Sequence, residues 1–218
     1  MTTVAIMQPY FVPYAGYFRL FAAADLFIIY DCVQFPRRGW VHRNRLPDRT
    51  GRPAWLTLPV AKAPREATID ALTLRDDFDA QLDLQRRRFP TLASSTADEI
   101  LAAPRGSLVT FLAATLTQIA RMLNVGCETI RSSTLGVAPH LRGQDRILAI
   151  VEAVGGKRYV NAPGGRHLYD AATFERRGVR LDFLSPFEDA DGFSVLHRLV
   201  TEGPDRLGHD VRRQTRLS

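Results

Sequence analysis

The chain has 218 residues, 45% apolar and 24% charged, enough for one substantial core without disulfides or a structural metal. Its two cysteines, Cys32 and Cys127, lie far apart without metal-ligand spacing, which excludes a disulfide scaffold or zinc module and fits a reduced, cytoplasmic protein. The net charge is +6, only Lys62 and Lys157 of the 29 basic residues are lysine, and no apolar run reaches membrane-spanning length.

"VAIM", residues 4–7, predicts a short buried strand. The prolines at 9 and 13 forbid its regular continuation, so residues 8–15 form a rigid loop. "YFRLFAAAD" then offers Phe18, Phe21 and Ala22 to one helical face, and "LFIIYDCV", 26–33, predicts a second apolar strand. Strand, loop, helix and strand in this order open a βαβ unit, hence an α/β fold with a Rossmann-like, mostly parallel sheet. A basic loop follows, with Arg37, Arg38, Arg43, Arg45, Arg49 and Arg52 relieved only by Asp48. "AWLTLPV", 54–60, predicts a third strand, and "ATIDALTL" a short edge or connecting strand.

From 77 to 131 the character turns helical. Leu108, Phe111, Leu112, Leu116, Ile119 and Leu123 keep helical spacing, so this stretch reads as a helical insertion or cap. Strand-like "ETIRSSTLG", a helix over 143–154, "KRYVNAP", a glycine turn, a short helix near "LYDAATFERRG" and the strand "VRLDFLS" make a second βα unit. The expected organisation is therefore 1–76 and 132–204 as two parts of one α/β core, 77–131 as the insertion, and 205–218 as a polar tail.

In an open α/β sheet, ligands bind beyond the carboxyl ends of the strands. That rule singles out Gln8, Tyr10, Tyr14, Gly16 and Tyr17 in the first loop, although tyrosines also serve as packing residues that need one partner per hydroxyl. Asp31 stands near the end of the second strand, placed to orient an amine or hydroxyl, assist a metal or anchor an arginine. His42 lies among Arg38, Arg43, Asn44 and Arg45, where neighbouring cations favour the neutral imidazole that a general base needs. A surface position or a phosphate contact is its other reading. In "YVNAPGGRHLYD", Asn161, Gly164, Arg166 and His167 suit an anion held by backbone N–H groups and a guanidinium, or else a simple tight turn. No zinc motif, serine elbow or metalloprotease helix occurs, and no metal ligand set is assigned.

The run "IMQPYFVPYAGYFRLFAAADLFIIYDCVQFPRRGWVHRNRL", followed by "GRPAWLTLPV", "GGKRYVNAPGGRHLYDAATFERRGVRLDFL" and "FSVLHRLVTEG", resembles the WbqC-like protein family over most of the chain. The resemblance points to Gln8, Pro9, Tyr14, Gly16 and Tyr17, then Asp31, Gln34, Arg38, Trp40, Arg43, Asn44 and Arg45, and finally Tyr159, Gly164 and Tyr169. Three positions depart from the family pattern: Cys32 and His197 stand where aspartate is common, and His42 where asparagine is. A fainter similarity links "YAGY", 14–17, to the H-x-G-H loop of nucleotidylyltransferases and class I synthetases, with tyrosines replacing both histidines.

The family's setting in surface-polysaccharide and natural-product gene clusters implies a transferase that adds an acyl or aminoacyl group to an amino sugar or other small amine. Asp31, Tyr17 and His42 are the catalytic candidates. Arg38, Arg43 and Arg45 would hold a small phosphorylated or nucleotide-linked substrate. The donor is left open among an acyl thioester, an aminoacyl-tRNA and an acyl phosphate made with ATP. Two other readings stand beside it: a tRNA or nucleic-acid-binding protein in which Trp40 or Phe35 stacks on a base, and a non-catalytic accessory of a biosynthetic enzyme. No membrane insertion is expected, and a homodimer is compatible with the sequence.

Overall fold

Alternation within the apolar strands sets the architecture. In β1 (Thr3–Met7) and β2 (Leu26–Ile29), Val4, Ile6, Leu26 and Ile28 face one side while Ala5, Phe27 and Ile29 face the other. Strands apolar on both faces need cover on both. The computed structural model, which describes residues 1–189 and 192–217, provides it.

Two further strands fall outside the main sheet. β3 (Arg43–Pro47) and β4 (Pro53–Thr57) form an antiparallel ribbon with Arg45 opposite Trp55. The main sheet adds β5 (Glu128–Arg131), β6 (Arg158–Asn161) and β7 (Arg180–Phe183) in the order β5-β2-β1-β6-β7, every adjacent pair parallel. The chain winds outward from β1 to β5, then returns to β1's other side for β6 and β7. The topological switch point therefore lies between β1 and β6, and the sheet is Rossmann-like.

Helices are α1 (Arg19–Ala23), α2 (Phe78–Arg86), α3 (Ser95–Leu101), α4 (Leu108–Met122), α5 (Gly143–Ala153), α6 (Ala171–Arg176), α7 (Val195–Glu202) and α8 (Pro204–Arg213). α5 and α6 cover one face with Ile147, Leu148, Ile150, Val151 and Phe174. The larger core on the other face joins α1, α4, α7 and α8, and runs on through α2 and α3. Ser94 and Ser107 cap α3 and α4 by accepting from Ala97 N and Thr110 N. None of the helices, among the described residues, is long and apolar enough to cross a membrane.

The structure bears out one further strand and corrects three sequence expectations. The strand expected in "AWLTLPV" forms, as β4 of the ribbon outside the main sheet. Its partner β3 comes from the stretch read as a basic loop, because Asn44 and Leu46 turn inward opposite Leu56 and Ala54 while Arg43 and Arg45 turn outward. "ATIDALTL" forms a 3₁₀ turn at Ile69–Ala71 with isolated bridges at Thr73 and Leu74. The polar tail contains α8, started by Pro204 after Gly203 and docked through Leu207, Gly208 and Val211. A Cβ on Gly208 would lie 2.3 Å from Leu123 O, so only glycine permits that approach.

Candidate functional site

The loop after β1 is held in a strained shape. Val12 has φ 36°, a left-handed conformation unfavourable for a β-branched residue. Neighbouring elements fix it there. Phe11 N donates to Trp40 O at 3.0 Å, Asn44 Nδ2 donates to Phe11 O at 3.1 Å and Val12 O at 2.9 Å, and Val195 N donates to Pro13 O at 2.7 Å. Ser194 Oγ also donates to Val12 O. Asn44 is thus a loop clamp whose amide is already occupied, since its Oδ1 accepts Arg45 N at 2.8 Å.

This clamped loop divides two cavities. The first, about 420 Å³, sits at the switch point beyond β1 and β6. Gln8, Tyr10, Tyr14, Gly16, Tyr17 and Arg19 wall one side, with Tyr30, Ile147, Asn161, Gly164 and Tyr169 opposite. The second, about 270 Å³, is bounded by Pro13, Trp40, Asn44, Arg45, Asp189 and Gly192. Tyr10 and Tyr14 belong to both.

Tyr17 forms the floor of the first cavity. Its hydroxyl donates to Gln8 O at 2.8 Å, and its ring packs against Tyr10, Phe18, Phe21 and Phe27. Burial raises its phenol well above the usual range, so it does not ionise near neutrality. Tyr14 is exposed, and its hydroxyl has no hydrogen-bond partner among the described residues. A Cβ on Gly16 would lie 2.4 Å from the Tyr14 ring and 2.7 Å from Phe187, so this glycine lets the wall close. Gly165 makes similar room for Asn161, whereas Gly164 faces open space. Tyr169 is held edge-on between Tyr159 and Phe174, with ring centroids 5.7 Å from each. Arg166 lies outside the lining, its guanidinium 4.8 Å over the Phe183 ring.

Asp31 occupies another environment. It is 0% exposed, and each carboxylate oxygen accepts two hydrogen bonds. Ser132 Oγ and Ser133 N donate to Oδ1, both at 2.9 Å, while Arg131 Nε and Ser133 Oγ donate to Oδ2 at 2.7 and 2.8 Å. A carboxylate so enclosed ties the end of β2 to the turn after β5, and no lone pair faces either cavity. Beside it Cys32 Sγ lies 3.0 Å from both Ser132 Oγ and Arg146 Nη2.

His42 is in a third place. It lines a separate cavity of about 330 Å³ with Phe35, Arg37 and Lys62, and its ring stands edge-on to Phe35. Nδ1 is buried without a partner among the described residues, and burial, helped by Arg43, pushes the imidazole down to about 4. The three catalytic candidates, Asp31, Tyr17 and His42, are therefore not brought together.

The basic segment also divides. Gln34 donates Nε2 to Arg65 O at 2.9 Å, the Arg38 carbonyl accepts from Arg43, and neither side chain is part of the lining of the first two cavities. Arg43 lies 4.2 Å over the Trp55 ring and Arg45 5.8 Å over Trp40, the two indoles being 5.3 Å apart. Trp40 and Trp55 are 39% and 40% exposed, making an aromatic and cationic strip beside the second cavity.

The sequence reading missed Arg19 and Tyr30. Burial pushes the Tyr30 phenol up to about 12. Arg19 had one visible signal: it is the lone charge in the apolar run between Tyr17 and Asp25.

The pattern of the WbqC-like protein family matches residues 8–190. "Uncharacterized protein Rv1507c" of Mycobacterium tuberculosis (strain ATCC 25618 / H37Rv) is 29% identical over 216 residues, covering 91% of this chain and 87% of the relative. No solved structure matches. The matched segment runs from the clamped loop through the ribbon and β7, and the chain belongs to the WbqC-like protein family.

Proposed function

We propose that the protein is a two-substrate transferase that moves an acyl or aminoacyl group onto an amino sugar or other small amine in surface-polysaccharide or natural-product biosynthesis. The observation that carries this reading is the pair of cavities sharing the Tyr10–Tyr14 wall, since group transfer needs donor and acceptor to meet across a short, fixed boundary. The clamped loop supplies that rigidity. In this reading the Tyr14 hydroxyl donates to the donor's carbonyl oxygen as negative charge builds there. The amine nitrogen bonds to the carbonyl carbon, the donor's leaving group departs, and the amine's proton ends on that group. Asp31 acts as a positioning residue, and Trp40 and Arg45 hold the substrate of the second cavity.

The test is product formation, read by mass, from an amino-sugar acceptor offered an acyl thioester, an aminoacyl-tRNA, or a carboxylic acid with ATP. One donor is expected to give product, and Tyr14→Phe to lower kcat about 100- to 1,000-fold with an unchanged melting midpoint. Full activity in Tyr14→Phe would remove the role given to its hydroxyl; no product from any donor would remove the transferase reading.

The exposed Trp40–Trp55 pair with Arg43 favours a second reading, stacking on single-stranded RNA. Binding whose affinity falls steeply with added salt would identify it.

A further inference from the structure

Arg19 is 1% exposed, so its guanidinium is withdrawn from water. Such a cation requires a counter-charge or a full set of hydrogen-bond acceptors. Arg198, also buried, has the counter-charge, meeting Glu202, Asp210 and Asp189. Arg19 has neither. Nη1 donates to Gln214 O at 2.9 Å, Nε reaches Gly16 O only at 3.5 Å, and no carboxylate pairs with it among the described residues. The Phe187 ring, 5.0 Å away, closes one face of the guanidinium. Nη2 forms no hydrogen bond among the described residues, and the side chain lines the switch-point cavity. Tyr14 is its electrostatic neighbour there.

We propose that Arg19 binds an anionic group, phosphoryl or carboxylate, of a ligand seated in the switch-point cavity. The planar guanidinium offers its unused donors to two oxygens of such a group. Gly164, across the cavity with open space where a Cβ would stand, lets the ligand approach the backbone. The anion would also supply the counter-charge that the fold withholds. This assignment rests on the transferase reading for its place in the reaction. Its test reads binding without turnover, so either can fail alone.

Inorganic phosphate and pyrophosphate serve as phosphoryl probes, acetate and succinate as carboxylate probes, each titrated calorimetrically against sodium chloride at matched ionic strength. Wild type is expected to take up one equivalent of the preferred probe. Arg19→Gln should weaken binding at least about tenfold, Arg19→Lys less, and the exposed-site control Arg52→Gln not at all. The preferred probe distinguishes a phosphoryl from a carboxylate ligand. Arg19→Met, which keeps the side-chain volume without the charge, replaces Arg19→Gln if the latter does not melt cooperatively. Undiminished binding in a folded Arg19 variant, an equal response to sodium chloride, or no binding of any probe by wild type would overturn the assignment.

Discussion

Asp31 and Arg19 stand in the segments that follow β2 and β1, and both are shut away from water, yet the fold treats them differently. Asp31 accepts four hydrogen bonds from three consecutive residues, whereas Arg19 has one firm bond and a cavity beside it. Burial alone does not separate a scaffold residue from a binding residue. What separates them is whether the protein itself satisfies the buried charge. The first kind of residue holds the site's frame, and the second is completed from outside.

The sharpest way to break this contrast is Asp31→Ala. It leaves Arg131, Ser132 and Ser133 without their shared acceptor, and urea unfolding should show a loss of about 3–5 kcal/mol. Near wild-type stability with abolished turnover would instead make Asp31 a catalytic residue.

His42 supplies an intermediate case, a half-buried group that stays neutral. Its folded value of about 4 lies below the 6.5 of an unfolded histidine, so the unfolded chain takes up a proton that the folded one refuses. Above pH 6.5 the group is neutral in both states and has no effect. As pH falls from 6.5 to 4 it should cost stability on the order of 1–2 kcal/mol, water around the half-buried ring screening part of the effect. His42→Leu should flatten that part of the stability profile relative to wild type. Parallel profiles for the two proteins would show that His42 is not held neutral.

The smallest effects lie in the cavity's glycines. Gly16→Ala pushes a methyl group into Tyr14 and Phe187, and should cost about 1–3 kcal/mol while displacing the shared wall. Gly164→Ala meets no atom within 4 Å, so stability should change by less than about 0.5 kcal/mol while ligand affinity drops. Thermal melts paired with ligand titration check both. Equal stability losses would show that the cavity is tighter at Gly164 than its geometry indicates.

Much of the frame was legible in the sequence because apolar runs such as "VAIM" and "LFII" report burial directly. β3 was not, because its outward positions are arginines and one inward position is Asn44, so the alternation carries little hydrophobic contrast. α8 hid for a similar reason: Leu207 and Val211, one turn apart, sit among charges. The first loop was legible as a cavity wall through its prolines and tyrosines. Its clamp was not, since Asn44 and Ser194 reach it from distant parts of the chain. The roles of Asp31 and Arg19 were equally hidden. Asp31's partners lie about a hundred residues away, and the missing partner of Arg19 becomes visible only when the surrounding chain is in place.

The most direct measurement is equilibrium urea unfolding of wild type and Arg19→Met, with and without saturating phosphate. If the buried guanidinium is completed by a ligand, Arg19→Met is at least as stable as wild type in phosphate-free buffer, because an apolar side chain replaces an unsatisfied charge. Phosphate then stabilises wild type alone. A large loss of stability in Arg19→Met, with phosphate raising both proteins equally, would show that Arg19 belongs to the scaffold after all.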